Sequence, residues 1–265
     1  MTRKSVEYRK KILQYIVGAN AGHTGGSLSC VDILNVLYNH VLNVSPQNFT
    51  SADRDRYIQS KGHTVEALYV VLADKGFFPE TDLETLCKYK SNYIGHPTKK
   101  VKGIEQNTGA LGHGLPIAVG NAIAAKMDEK NYRVFTLLGD GELPEGSNWE
   151  AALTAAHYKL DNLCAILDYN KLQISGTTAE VCNTEPVDAK FESFGWSVKH
   201  VDGHDINALI ETFDALPFEK GKPGFIIAHT VKGKGVSYME NNVKWHHGVP
   251  NKEQYEVALT ELNNA

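Results

Sequence analysis

No stretch of the 265 residues is apolar for long enough to cross a bilayer, and the opening Met-Thr-Arg-Lys-Ser-Val-Glu-Tyr-Arg-Lys lacks the apolar core of a secretory leader. No membrane contact is expected, and a cytoplasmic location is. Cysteine is scarce. Cys30, Cys87, Cys164 and Cys182 are scattered without a Cys-x-x-Cys pair, which argues for reduced thiols and against a disulfide framework or a zinc site. An excess of positive charge is also missing. Lys and Arg number 27 against 31 Asp and Glu, and a net charge of -4 offers nucleic acid no footprint. Repeats, low-complexity tracts and interdomain linkers are absent. What is present, 42% hydrophobic and 22% charged residues, suits a soluble globular chain long enough for one large α/β domain over residues 1–265.

Candidate strands and helices alternate, so the fold class expected is α/β, with a mostly parallel sheet covered by helices on both faces. A first helix is expected from Val6 to Val17, ending in the glycine-rich loop Gly18 to Gly26 with His23 at its centre. Ser29 is a good N-cap for a second helix carrying Val31, Leu34, Tyr38 and Val41 on one face. Tyr57-Ile58-Gln59 reads as a short strand, and Ser60-Lys61-Gly62-His63 opens a helix to Lys75 that Gly76 stops. Residues 77–106 show little periodicity beyond a short helix near Thr81 to Tyr89. Asn107 to Pro116 then feeds a small-residue helix, Ile117 to Met127, and its glycines let backbone N–H groups converge on an anion. Later come a strand within Ser193 to Val201, a helix Ile206 to Leu216 capped by Asp205, a strand Gly224 to Thr230 and a polar C-terminal helix.

The stretch Val134 to Gly176 carries the most information. Val134 to Leu138 fits a buried parallel strand stopped by Gly139-Asp140-Gly141, whose glycines leave room for an anion beside the backbone. Trp149, Ala152, Leu153 and Ala156 give one apolar helix face. Leu163 to Leu167 is the next buried strand, and a right-handed crossover sets its end, Asp168-Tyr169-Asn170, beside that of the first. Asp140 and Asn170 then offer part of an octahedral oxygen cage suited to Mg²⁺, with the Leu172 carbonyl as a third ligand and open positions for phosphate oxygens. Gly-Asp-Gly alone is equally an ordinary turn or hairpin. The Asn beyond a complete crossover helix favours the metal.

That spacing resembles the thiamine diphosphate motif, and the text Gly-Asp-Gly-Glu-Leu-Pro-Glu-Gly-Ser-Asn-Trp-Glu-Ala resembles transketolase. The resemblance extends from about Gly18 to Gly248, with motifs in the family's order. It implies a thiamine-diphosphate-binding fold in which Asp140, Asn170 and the Leu172 carbonyl bind Mg²⁺, with Ca²⁺ or Mn²⁺ as substitutes. It also implies cofactor contacts from His63, Thr108, Gly109, Ala110, Leu111, Gly141, Glu142, Asn170, Lys232 and His246.

His23, His63, His96 and His246 lie in glycine-containing loops. Such residues are often merely solvated, but several imidazoles around a polyol suit hydroxyl recognition and proton shuttling. Their settings, Ala-Gly-His-Thr-Gly, Lys-Gly-His-Thr, Gly-His-Pro and Trp-His-His-Gly, match the transketolase histidine set motif by motif. Carried over, His63 contacts the diphosphate, while His23, His96 and His246 surround the sugar's carbonyl and hydroxyls; the doubled His246-His247 leaves open which ring faces the site. Glu145 matches a family carboxylate in an interface network and otherwise reads as a favourable acid in a helix's first turn. Thr24 stands where the family often has proline, and His113 where it often has glutamine. His40, His157, His200 and His229 are adequately explained by packing, solvation or a helix end.

Transketolases activate their cofactor with a glutamate, and grip sugar phosphate with arginines, from regions not found in these residues. The resemblance therefore implies the N-terminal, diphosphate-binding subunit of a split enzyme, assembled as α2β2 with a C-terminal transketolase subunit carrying the pyrimidine-binding domain. The implied reaction moves a two-carbon ketol unit from a ketose phosphate to an aldose phosphate, as in the pentose phosphate pathway. The alternatives are a 2-oxo acid dehydrogenase or decarboxylase component, a deoxyxylulose-phosphate-synthase-like enzyme and a non-catalytic, cofactor-binding regulatory chain.

Overall fold

The computed structural model describes all residues, 1–265. Two helices open the chain, α1 (Thr2–Ala19) and α2 (Thr24–Val36), the latter running into a π-helical turn at Leu37–Val41. Strand β1 (Arg56–Gln59) leads through a short 3-10 turn into α3 (Val65–Asp74). A long segment of turns precedes α4 (Gly114–Met127). The central unit is β2 (Val134–Gly139), α5 (Gly146–His157) and β3 (Leu163–Tyr169). A small hairpin, β4 (Leu172–Gln173) with β5 (Gly176–Thr177), is followed by α6 (Thr178–Val181) and α7 (Val187–Phe194). The chain closes with β6 (Ser197–Asp202), α8 (Ile206–Asp214), β7 (Gly224–His229) and α9 (Lys252–Asn263). No helix is long and apolar enough to cross a membrane.

Strands pair in the order β1-β2-β3-β7-β6, and every pair is parallel. The alternating pleat explains why these strands read as unbroken apolar runs. In β3, Cys164 and Ile166 enter the core beneath α1, α2 and α3, while Leu163, Ala165 and Leu167 enter the core beneath α4, α5 and α7. In β7, Ile226 and Ala228 face the first core, and Phe225 stacks on Phe191 of α7 in the second with ring centroids 3.6 Å apart. Covering both faces leaves only the strand ends open to a ligand.

Four local expectations are corrected. Helix α2 starts at Thr24, not after Ser29, because Gly25 and Gly26 serve close packing and not a turn. A Cβ on Gly26 would lie 2.7 Å from Thr64 Cγ2. Ser29 lies inside the helix, where its hydroxyl donates to Asp168 at 2.6 Å. The buried face of α5 is Asn148, Ala151, Ala152 and Ala155, one residue round from the expected face, and Leu153 is 54% exposed. Asn148 sets this rotation by donating to the Glu142 carbonyl at 2.9 Å. The helix expected to Tyr89 is a 3-10 turn over Glu80–Thr85, and Cys87 and Lys90 take left-handed φ of 55° and 65°, which a helix cannot continue through. Helix α4 begins at Gly114, ahead of the expected Ile117.

Leu153→Ala is expected to change the chain's unfolding free energy by less than about 0.5 kcal/mol, as for an exposed site. Phe225→Ala, which empties a fully buried aromatic position, is expected to cost about 3–5 kcal/mol in urea unfolding. A loss of more than about 2 kcal/mol at Leu153 would restore the expected α5 face.

Candidate active site at the carboxyl ends of the strands

Parallel α/β sheets place ligands at the carboxyl ends of their strands. Here the chain leaving β1 supplies Ser60, Lys61 and His63, that leaving β2 supplies Asp140 to Glu142, and β3 with the β4–β5 hairpin supplies Asp168, Asn170, Leu172, Gln173 and Ile174. The chain leaving β7 supplies Thr230 and Lys232. The loop before α2 adds His23, that before α4 adds His96, Gly109 and Leu111, and that before α9 adds His246; all of these residues except Ser60, Asp168 and Thr230 line a cavity of about 240 Å³. A larger hollow of about 490 Å³ lies at the amino ends of the strands. Its cations are already matched, Lys126 by Asp161 at 2.6 Å and Arg133 by Asp55 at 2.7 Å, so the smaller cavity carries the unsatisfied chemistry.

Asp168, fully buried, lies at the base. It pairs with the Lys61 ammonium and accepts from Ser29 at 2.6 Å, from the Thr230 hydroxyl and from Asn170 Nδ2 at 3.3 Å. Burial alone would raise its pKa, but the Lys61 charge and these donors hold it below the ordinary carboxylate range. Lys61 is correspondingly held above its ordinary value, since Asp168 outweighs its burial. Asp140 is different. Burial and the neighbouring Asp168 charge raise it to about 6, although it accepts from the backbone N–H groups of Gly141 and Lys171. Lys232 is lowered to about 8 by burial and by Lys61, and its ammonium donates to the Leu172 carbonyl at 3.1 Å.

The imidazoles surround His23. Ring centroids of His63, His96, His246 and His247 lie 5.1, 6.2, 5.6 and 4.6 Å from it, and His63 stacks on His246. Burial, then the nearby His247, lowers His23 to about 4, and burial with Lys232 lowers His246 to about 3. His63 falls well below its usual value through burial and Lys61, and His96 is lowered by burial. Near neutral pH all four are uncharged, each offering one donor and one acceptor. Gly109, at φ +132°, allows the closest approach, because a Cβ there would lie 2.5 Å from the His96 ring.

Glu142 lines the cavity but is itself occupied. Its carboxylate accepts from Gly112 N–H at 2.9 Å, Gly139 N–H at 3.0 Å and the Ser60 hydroxyl, so it ties three loops together. Beneath His23, Glu66 accepts from the His23 N–H at 3.2 Å and from Ser27 at 2.9 Å, and burial raises it to about 7.

Of the residues singled out in the sequence, His23, His63, His96, Gly109, Leu111, Asp140, Gly141, Glu142, Asn170, Leu172, Lys232 and His246 line this cavity. His246 is therefore the inner ring of the doublet; His247 is exposed and lines a shallower hollow with Ile174. Ala110 is exposed and outside the cavity, and Glu145 is an exposed N-cap of α5, not a first-turn residue. Thr108 is set behind Gly62. The departures from the family pattern also find places. Thr24 donates to the Gly248 carbonyl at 2.5 Å, which fixes the His246 loop, and His113 is exposed with Nδ1 3.1 Å from the Leu111 carbonyl. Sequence reasoning missed Lys61, Asp168, Gln173, Ile174 and Glu66. Asp168 had a signal, as a charge closing an otherwise apolar strand.

The residues suit an anion and a hard cation. Thr108 Oγ1, Gln173 Nε2 and His246 Nδ1 are buried polar atoms without partners around or against the cavity. No group of three or more His, Cys, Asp or Glu side chains is placed to hold a metal ion. The Asp140 carboxylate, the Asn170 amide oxygen and the Leu172 carbonyl are the oxygens that could hold a hard cation such as Mg²⁺, and they now accept from Lys171 N–H, Leu172 N–H and the Lys232 ammonium.

A profile described as "Transketolase, thiamine diphosphate binding domain" matches residues 3–263. The chain belongs to this family. It is 50% identical over 260 residues to one of the subunits of apulose-4-phosphate transketolase from Phocaeicola vulgatus, covering 98% of this chain and 92% of that one. It is 40% identical over 255 residues to a 6-deoxy-6-sulfo-D-fructose transketolase subunit of a Clostridium species, covering 96% and 93%. The crystal structure of Campylobacter jejuni transketolase superposes with a TM-score of 0.92 at 32% identity, over 99% of this chain and 42% of that one. In length, this transketolase-family chain thus matches the named subunits and not the longer crystallised enzyme.

Glu66 gives a pH signature. Its pKa is about 7 in the folded chain against 4.5 unfolded, so the folded state holds the extra proton between these values. Its stabilising contribution is present below pH 4.5 and is lost as pH rises through about 7. Glu66→Gln is expected to flatten the decline in urea-unfolding free energy over this range, measured against the parent chain; an unchanged slope would remove Glu66 as its source.

Proposed function

We propose that this chain is the diphosphate-binding subunit of a two-subunit transketolase, with residues 1–265 acting as a single cofactor-binding domain. The observation that carries the reading is the convergence of two ammonium groups, four neutral imidazoles and an oxygen-donor set on one cavity at the strand ends. Lys232 provides the incompletely matched positive charge for a diphosphate, and Lys61, paired with Asp168, and the neutral His63 provide further donors. Asp140, Asn170 and the Leu172 carbonyl hold Mg²⁺, with Ca²⁺ or Mn²⁺ able to replace it.

Thiamine diphosphate, when bound, supplies the carbon nucleophile that accepts and releases a two-carbon ketol unit. This chain's residues bind and orient. His23, His96 and His246, being uncharged, can each donate to one sugar oxygen and accept from another hydroxyl, and can pass a proton between them. Gly109 lets the His96 ring approach the loop backbone. Glu142 keeps the surrounding loops at fixed spacing. The partner is a C-terminal subunit with the pyrimidine-binding domain, and an α2β2 assembly in the cytoplasm is the form proposed.

The relatives named for apulose 4-phosphate and for sulfofructose support a specialised sugar pathway above the ordinary pentose phosphate set. A ketose donor fits the histidine ring better than the 2-oxo acid alternative, because pyruvate presents no hydroxyl chain for several imidazoles to hold.

The experiment is to purify the chain with whatever partner accompanies it and assay Mg²⁺- and thiamine-diphosphate-dependent ketol transfer from ketose phosphates, with pyruvate as the competing substrate. Asp140→Ala is expected to lower transfer by about 10²-fold or more through misplacement of the diphosphate. Full activity and cofactor binding in that variant would overturn the metal assignment, and turnover of pyruvate alone would overturn the substrate class.

A further inference from the structure

The turn Asp202-Gly203-His204-Asp205 between β6 and α8 has no part in the cavity, yet its histidine reaches the loop that carries Lys232. His204 Nε2 accepts the Val231 N–H at 2.8 Å, and its Nδ1 lies 2.7 Å from Asp32 Oδ2 in α2. Since a backbone N–H can only donate and the carboxylate can only accept, the ring is fixed with its proton on Nδ1. Asp32 is gripped on both oxygens by Arg9 of α1, at 2.5 and 3.1 Å, and Arg9 Nε donates to the Lys234 carbonyl at 3.0 Å. Three side chains far apart in sequence thus hold the main chain on both sides of Lys232.

The cluster is dry. Side-chain exposure is 7% for Arg9, 5% for Asp32 and 13% for His204. Burial would raise Asp32, but the hydrogen bond from His204 and the Arg9 charge hold it at about 2. Two further anchors, Gly233 N–H to the Gly25 carbonyl at 2.9 Å and the Thr230 hydroxyl to Asp168, fix the loop around Lys232, whose side chain lines the cavity with its ammonium on the Leu172 carbonyl at 3.1 Å. A merely stabilising ion pair would not need to end on the Val231 N–H and the Lys234 carbonyl, one residue before the lysine and two after it.

We propose that Arg9, Asp32 and His204 are positioning residues for Lys232, forming a buried clamp that presents its ammonium to the cofactor's diphosphate. This rests on the reading of Lys232 given above. The clamp acts through the loop backbone and touches neither cofactor nor substrate.

The test is a double-mutant cycle on the full chain in the complex with which it purifies, titrated calorimetrically with thiamine diphosphate in excess Mg²⁺. Lys232→Met is expected to weaken binding about tenfold or more, as for loss of a charge-assisted contact, and an unchanged affinity would overturn the role of Lys232 itself. With that role intact, His204→Phe is expected to weaken binding about tenfold, and His204→Gln, whose side-chain oxygen can still accept from Val231, to recover most of it. In the Lys232→Met background His204→Phe is expected to cost less than about twofold, because its effect passes through the missing ammonium. An equal loss in both backgrounds would overturn the clamp. Should His204→Phe not fold, Asp32→Asn, which removes the charge orienting the ring while keeping its shape, takes its place with the same two outcomes.

Discussion

The Lys61–Asp168 pair is the interaction on which the rest of the site depends. Taking either charge out of water alone would be prohibitive, and their attraction offsets this only where further hydrogen bonds complete the arrangement. Here they do. The carboxylate ending β3 receives the ammonium from the end of β1, reaching across β2, and also a hydroxyl from α2 and one from the end of β7. A single carboxylate thereby fixes the relative positions of four segments whose tips form the cavity. It also explains why Ser29 lies within a helix and does not cap one, and why α2 must begin early enough to bring that hydroxyl to the sheet.

With Lys61 neutralised by Asp168, the remaining charges are left incompletely matched. Lys232 is lowered to about 8 and Asp140 raised to about 6, each because burial penalises a charge that the chain does not fully compensate. A diphosphate would compensate the lysine and a divalent cation the aspartate, and the two together would remove both penalties. The imidazoles point the same way. Held neutral by burial and by the lysines, they do not compete for the anion as cations but remain able to donate and accept toward a polyol.

Much of the fold was legible because a parallel sheet covered on both faces leaves an unmistakable trace. Val134 to Leu138 and Leu163 to Leu167 are nearly unbroken apolar runs, as a strand buried on two sides demands. The loop histidines were legible as well, since imidazoles among glycines have no packing reason to be there. What was not legible depended on tertiary partners. Gly25 and Gly26 look like a turn until Thr64 and Trp245 are seen against them, and the α5 face cannot be rotated correctly without the Glu142 carbonyl that Asn148 meets. Lys61 resembled any lysine at a helix start, because its partner is 107 residues away.

Tertiary anchoring is also why the ends of strands, and not the helices, carry the chemistry. A lysine on an exposed helix face would have solvent on one side, so ordering its side chain against a ligand would cost much of what the contact returns, whereas Lys232 is already buried. Lys232 instead stands on a loop whose neighbouring residues are tied to α1, α2, α8's leading turn and β3 by hydrogen bonds to main chain or side chain. Little backbone freedom remains to be lost when a ligand arrives, which is how a buried, incompletely matched cation stays in place without collapsing onto the nearest carboxylate. The sheet supplies the rigidity and the loops supply the unmatched charge, and neither could hold an anion of this kind alone.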